Sequence, residues 1–336
     1  MPHDPSHERV SRLTGIALMC GAVACFALLD TTAKYLNLYM STLQVVWARY
    51  TGAFLFPFMV SNPWTRPGLT RTKRPLLQVM RSVLLLTSTL CNFAALRYLQ
   101  LDEAIALIFS TPFFVAALSG PMLGEWVRWR RWSAITVGFV GVLVVTRPGA
   151  ASFHPAALLS LSAALCYALY SITTRILART DSNETTLFYS NIVGALALLP
   201  VVPLVWTTPS DPLVIALMVA TGAVGSFGHY LLIAAHRLAP AAVLSPFIYT
   251  EIVLVTALGF LVFGDVPNRF TLTGAAIVVA SGLYMLHRER KRKQGIGHQR
   301  SGTLIADCDR YNLSCLSSGG KANFRCPAAP HRSLSR

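Results

Sequence analysis

Four charged side chains stand inside long apolar runs: Asp30 in CFALLDTTAKYL (25–36), Arg49 in VVWARYTGAF (45–54), Arg81 in VMRSVLLL (79–86) and Glu251 in PFIYTEIVLV (246–255). An ion kept among apolar neighbours is costly, so each one needs a partner or a task. An acid in such a place can bind a cationic group, carry a proton or pair with a base. Polar and aromatic side chains recur in similar runs: Asn92, Asn191, His229, Tyr167 and Tyr249. An amide can read a polar edge or bond a neighbouring helix. An imidazole can exchange a proton near neutral pH, and a tyrosine ring can stack on a flat solute. Pro112 and Pro246 each remove one backbone hydrogen bond and can free a carbonyl at that depth. The chain contains no HExxH, GxSxG or paired intramembrane Asp residues, which sets the common intramembrane hydrolases aside.

The elements that must position these residues are apolar. Of 336 residues 54% are hydrophobic and 13% charged, about half the charge of a soluble domain, and the mean hydropathy is +0.52. This is the composition of an all-α integral membrane protein. A crossing helix needs about 20 apolar residues, and ten segments meet or approach that length: 13–36, 42–61, 76–98, 102–123, 132–147, 155–177, 184–206, 212–236, 241–263 and 271–287. The net charge of +15 lies in short clusters between these runs. It carries no nucleic-acid-binding motif, so nucleic acid is not an expected partner. Cys20, Cys25, Cys91 and Cys166 read as small core residues, and no CxxC pair suggests a metal or redox site.

Lys and Arg orient the spans. With a cytoplasmic N-terminus, seventeen basic residues fall inside and four outside, so both termini are expected in the cytoplasm. Helical rise then places Asp30 about 9 Å and Arg49 about 10 Å below the outer face. At a shared depth they either pair or both line an outer vestibule. Lys34, one turn further out, is expected to reach the interface, and Arg81, about 8 Å from the cytoplasm, to reach back to it. Glu251 lies about 15 Å deep, the one acid near the midplane.

The second half repeats the first. CFALLDTTAKYL aligns with CYALYSITTRIL (166–177) at an offset of 141, with Ser171 where the first copy has Asp30. AALRYL (94–99) aligns with AAHRLA (234–239), and Gly124-Glu125 with Gly264-Asp265, at 140. Five spans per half is an odd number, so the second copy enters the membrane inverted. Inverted repeats place a solute site near the midplane between the halves. With STPFF around Pro112 and SPFIYTE around Pro246, these features resemble the drug/metabolite transporter superfamily, EamA type, across about 13–287. DTTAKYL, LRYLQLDEA, TLFYSNIV and PFIYTEIV are closest to members that take up S-adenosylmethionine or riboflavin. The resemblance implies ten transmembrane helices in two five-helix inverted repeats, 13–147 and 155–287. It also implies alternating-access transport of a small organic solute across a bacterial inner membrane without ATP, and no GxxxxGK[ST] is present. Export of amino acids or drug-like metabolites, and lipid flipping, are the alternatives on this fold. The expected partners are the solute and the surrounding lipid, with a homodimer left open; no cofactor or metal is implied. Residues 1–12 read as a short cytoplasmic N-terminus and 288–336 as a disordered basic cytoplasmic tail.

Overall fold

The computed structural model describes residues 5–60, 69–124, 129–147, 154–177, 180–239, 244, 247–284 and 287. Among these residues every regular element is helical: α1 (Pro5–Leu36), α2 (Thr42–Val60), α3 (Pro75–Leu96), α4 (Leu101–Ile108), α5 (Thr111–Leu123), α6 (Trp129–Thr146), α7 (Ala157–Leu177), α8 (Asn183–Leu198), a 3₁₀ turn (Val202–Val205), α9 (Pro212–Leu238), α10 (Glu251–Phe263) and α11 (Arg269–Tyr284). Five stretches of the described residues are long and apolar enough to cross a membrane: Val10–Leu36, Pro75–Leu96, Leu101–Met122, Ala157–Leu177 and Pro212–Leu238. The expected tail lies outside the described residues.

Local chemistry sets the helix ends. Pro75 and Pro212 open α3 and α9, where a missing N–H is harmless. Asp211 caps α9 by accepting from the Leu213 N–H, and Ser182 caps α8 by accepting from the Thr185 N–H. Beside the Ser182 cap, Asp181 ties α8 to the start of α3. It accepts from Thr72, from the Gln78 amide at 2.9 Å and from the Lys73 N–H at 3.2 Å. Partial burial raises the Asp181 pKa, but these donors outweigh it and hold the carboxyl below its ordinary value. Gly124 and Gly264 end α5 and α10 in the left-handed region, at φ 70° and 69°, where a side chain would be strained.

Four expected spans differ. The first helix begins at Pro5, not 13. The seventh ends at Leu198, not 206, because Pro200 and Pro203 cannot continue it. The fourth is broken, with Phe109 and Ser110 in a turn between α4 and α5. Tyr249 and Thr250 form the corresponding turn before α10, 140 residues later. The two turns touch: the Phe109 and Tyr249 rings meet edge to face at 5.1 Å.

The packing follows the repeat. The most extensive helix pairs are α1 with α9 and α3 with α7, and exchanging the halves turns one pair into the other. The same exchange relates α2–α9 to α3–α8 and α1–α10 to α5–α7, while α2–α8 pairs with itself. Val253, Phe260 and Leu261 of α10 stay exposed, as lipid-facing side chains do.

Small residues set the closest approaches, because helices in lipid associate through packing. A Cβ on Gly52 of α2 would lie 2.8 Å from the Gly222 Cα of α9, and one on Gly141 of α6 would lie 2.9 Å from the Gly274 carbonyl of α11. Gly222→Leu should therefore force α2 and α9 apart, at a cost of about 1–3 kcal/mol. A melting curve of the detergent-purified variant should shift down, whereas Gly124→Asn, which has open space and tolerates left-handed backbone, should shift it little.

Candidate substrate site

A cavity of about 350 Å³ lies among α2, α3, α7, α8 and α9, within the size range of small-molecule sites. Helices α2 and α8 run antiparallel beside it. Tyr50 packs on Gly194, the Asn191 amide donates to the Ala53 carbonyl at 2.9 Å, and Phe54 meets Phe188 at 5.7 Å. Arg49 stands at one end of the cavity. Phe58 and Glu184 stand at the other, about 13 Å along α2 by helical rise. Phe54, Phe58, Phe188 and Tyr230 supply aromatic walls, and Tyr170, Ser190, Asn191 and His229 supply polar groups.

Arg49 is held in place by rings and one hydroxyl. Its Nη1 donates to Thr89 Oγ1 at 3.1 Å, and the guanidinium lies 5.1 Å from the Tyr50 ring centroid and 5.8 Å from that of Phe93. Tyr50 shares the same hydroxyl at 3.0 Å. Asp30 does not form an ion pair with Arg49. Its Oδ1 accepts from the Asn92 amide at 3.3 Å, while Arg49 acts on it through space. The shared depth is thus realised as proximity rather than contact, because Thr89 and Asn92 of α3 stand as the direct partners.

Arg81 departs furthest from expectation. Instead of reaching back to the interface it is 2% exposed. Its Nε donates to Thr174 Oγ1 at 2.6 Å, Nη1 to Ser190 Oγ at 2.6 Å and to the Thr186 carbonyl at 3.1 Å, and Nη2 to Tyr170 Oη at 2.7 Å. The guanidinium also lies 4.3 Å from the Tyr170 ring centroid. All these partners are neutral, and two of them, Tyr170 and Ser190, line the cavity. One signal in the sequence pointed to this: Tyr170 and Thr174, and Thr186 and Ser190, are spaced four apart, which makes a polar stripe on each of two otherwise apolar helices.

The other expected site residues divide. Arg49, Asn191 and His229 line the cavity, and His229 also meets the Phe26 ring edge-on at 5.1 Å. Glu251 opens α10 just after the second turn, partly buried, and it and Asp30 lie in each other's field. Tyr167 feels the charges of Glu251, Arg81 and Arg49 and stacks tilted on Tyr170 at 5.3 Å. It keeps 38% of its surface open and is not among the residues that line the cavity. Tyr249 is packed into the core between Phe109 and Gly282. Pro112 occupies the second position of α5, and the carbonyl its ring strands, that of Ile108, accepts from Thr111 Oγ1 at 2.7 Å. That carbonyl is therefore already satisfied. Pro246 lies outside the described residues. Lys34 finds a partner across the bundle: its Nζ pairs with Asp265 Oδ2 at 2.6 Å and lies 4.8 Å from the Phe263 centroid, joining the end of α1 to the end of α10.

The profile of the EamA-like transporter family matches the chain twice, over residues 13–147 and 154–286. The chain belongs to this family. As an EamA-like protein it is a multi-pass membrane transporter. Among its relatives is the S-adenosylmethionine uptake transporter of Rickettsia conorii (strain ATCC VR-613 / Malish 7), 30% identical over 83% of this chain and 94% of that protein. The riboflavin transporter of Vibrio cholerae serotype O1 is 28% identical over 84% and 96%, and the pseudopaline exporter of Pseudomonas aeruginosa (strain UCBPP-PA14) is 25% identical over 80% and 94%. One solved crystal structure matches with a TM-score of 0.57 at 18% identity, covering 83% of this chain and 99% of its own; at that identity the similarity speaks for the fold.

Arg81→Lys tests whether the buried guanidinium holds the bundle. An ammonium has three donors and no planar fork, so it cannot serve all four of the acceptors that Arg81 bonds. The variant should be destabilised by about 1–3 kcal/mol in detergent. An unchanged melting temperature would mean that α7 and α8 hold their places without it.

Proposed function

We propose that this EamA-like transporter takes up a small, flat, nitrogen-bearing metabolite across the bacterial inner membrane by alternating access. Ten spans arranged as two inverted repeats, over about 13–147 and 155–287, would rock about the cavity. The observation that carries the reading is the cavity itself. Aromatic walls that accept a flat ring enclose polar groups contributed by helices of both halves. The relatives named for S-adenosylmethionine and riboflavin uptake cover almost their whole length with this chain, and both names describe solutes with a flat nitrogenous ring.

The cavity is also one-sided. Beyond Arg49 the bundle is sealed: Val45 and Val46 are fully buried, and Gln44 exchanges two hydrogen bonds of 2.9 Å with the Thr207 backbone. Lys34–Asp265 ties α1 to α10 at the same end. With cytoplasmic termini, this is the arrangement of a carrier closed outside and open inside. Reporter fusions check the orientation. A periplasm-active reporter should function at Gly149 and stay silent at Arg300, and the reverse pattern would overturn it.

Glu251 is proposed as the coupling or cation-binding acid. It follows the break in its span and lies in the field of Asp30. A second acid so near is hard to explain as packing, since two like charges repel in a medium of low dielectric. In proteoliposomes, Glu251→Gln should insert normally and abolish net uptake of labelled solute, while Glu251→Asp should keep part of it with a shifted pH profile. Wild-type uptake with an unchanged pH profile in Glu251→Gln would leave this acid a structural role only.

A further inference from the structure

We propose that the solute carries a carboxylate, and that Arg49 is the residue that selects for it. The inference rests on the transport reading and narrows its substrate class. Arg49 lines the cavity, and its direct hydrogen-bond partners among the described residues are two neutral hydroxyls, those of Thr89 and Tyr50. Its Nε is buried and has none. The neighbouring cation, Arg81, is bonded to neutral groups alone. No described carboxylate comes within ion-pair distance of either guanidinium: Asp30 is engaged by Asn92, and Asp265 by Lys34. Arg49 in the wall and Arg81 behind Tyr170 and Ser190 are thus two positive charges with no direct counter-ion among the described residues.

A desolvated guanidinium with unused N–H groups is an incomplete site. Its planar fork matches a carboxylate through two parallel hydrogen bonds, and the Tyr50 and Phe93 rings already fix its plane. A carboxylate on Arg49 would supply the missing acceptor and part of the missing charge together. A phosphate fits less well. The α8 N-terminus that reaches this cavity already carries Glu184 in its first turn, which occupies the helix end where phosphates bind. At the opposite end from Glu184, Arg49 is left to the smaller anion, and the aromatic walls between take the ring.

The test uses the full chain in proteoliposomes and solutes paired by the presence or absence of the carboxylate: S-adenosylmethionine against its decarboxylated form, tryptophan against tryptamine, with riboflavin as a flat solute lacking a carboxylate. In any pair that is recognised, the carboxylate-bearing member should be preferred by about tenfold or more, the size of a charge-assisted hydrogen bond. Arg49→Gln should erase that preference and Arg49→Lys retain part of it, in protein whose melting behaviour and insertion match wild type. Uptake of riboflavin alone, or equal uptake within the pairs, would overturn the carboxylate while leaving the transport reading standing. So would an Arg49→Gln variant that keeps the preference. Uptake of none of the five would overturn both.

Discussion

A guanidinium sealed inside a helical bundle must find acceptors within the bundle, because hydrocarbon supplies none. Arg81 finds them on α7 and α8, both in the second half of the chain. Those bonds fix α3 against two helices of the opposite repeat and orient Tyr170 and Ser190 toward the cavity. At the related position, 140 residues on, the second half has Thr221, and beside it Gly222 lets the α2 and α9 backbones close onto each other through Gly52. One interface of a repeat-related pair is propped by a buried cation, and the other collapses onto glycine. The cavity lies along this asymmetry.

The polar interior is divided by sign. Arg49 stands in the cavity wall with Arg81 behind it, and Asp30, bonded to Asn92, lies in the field of Glu251. They interact through space without neutralising each other in direct pairs. In a low-dielectric interior such separation is costly unless a ligand, a proton or a change of conformation completes the balance. A transporter needs this condition, since a site fully satisfied by its own side chains would have little to gain from a solute.

At the first helix break the carbonyl that the proline strands is already taken up. Thr111 takes over the carbonyl that Pro112 strands, and Thr250 Oγ1 donates to the Phe247 carbonyl at 2.6 Å in the second copy. The first break is thus a self-satisfied bend. The rings of the two breaks, Phe109 and Tyr249, meet where α4 and α10 cross between the halves. A packed, hydrogen-bonded bend can flex without exposing backbone to lipid, which suits a hinge region better than a ligand site.

Much of the fold was legible in the sequence, because hydrophobic length, turn residues and the 140-residue repeat are local or periodic properties that survive without three-dimensional knowledge. Gly124 and Gly264 announce their left-handed caps by residue type, and the charged residues of the interior announce themselves by cost. The family similarity was carried by the same motifs. The sequence did not determine which charge meets which. Asp30 and Arg49 share a depth, yet α3 inserts Asn92 and Thr89 as their direct partners. Lys34 and Asp265 are 231 residues apart and Arg81 and Ser190 are 109 apart, so nothing along the chain pairs them. Helical rise gives depth but not azimuth, and only the packing of helices from both halves decides whether a long side chain turns outward to the interface or inward to a hydroxyl.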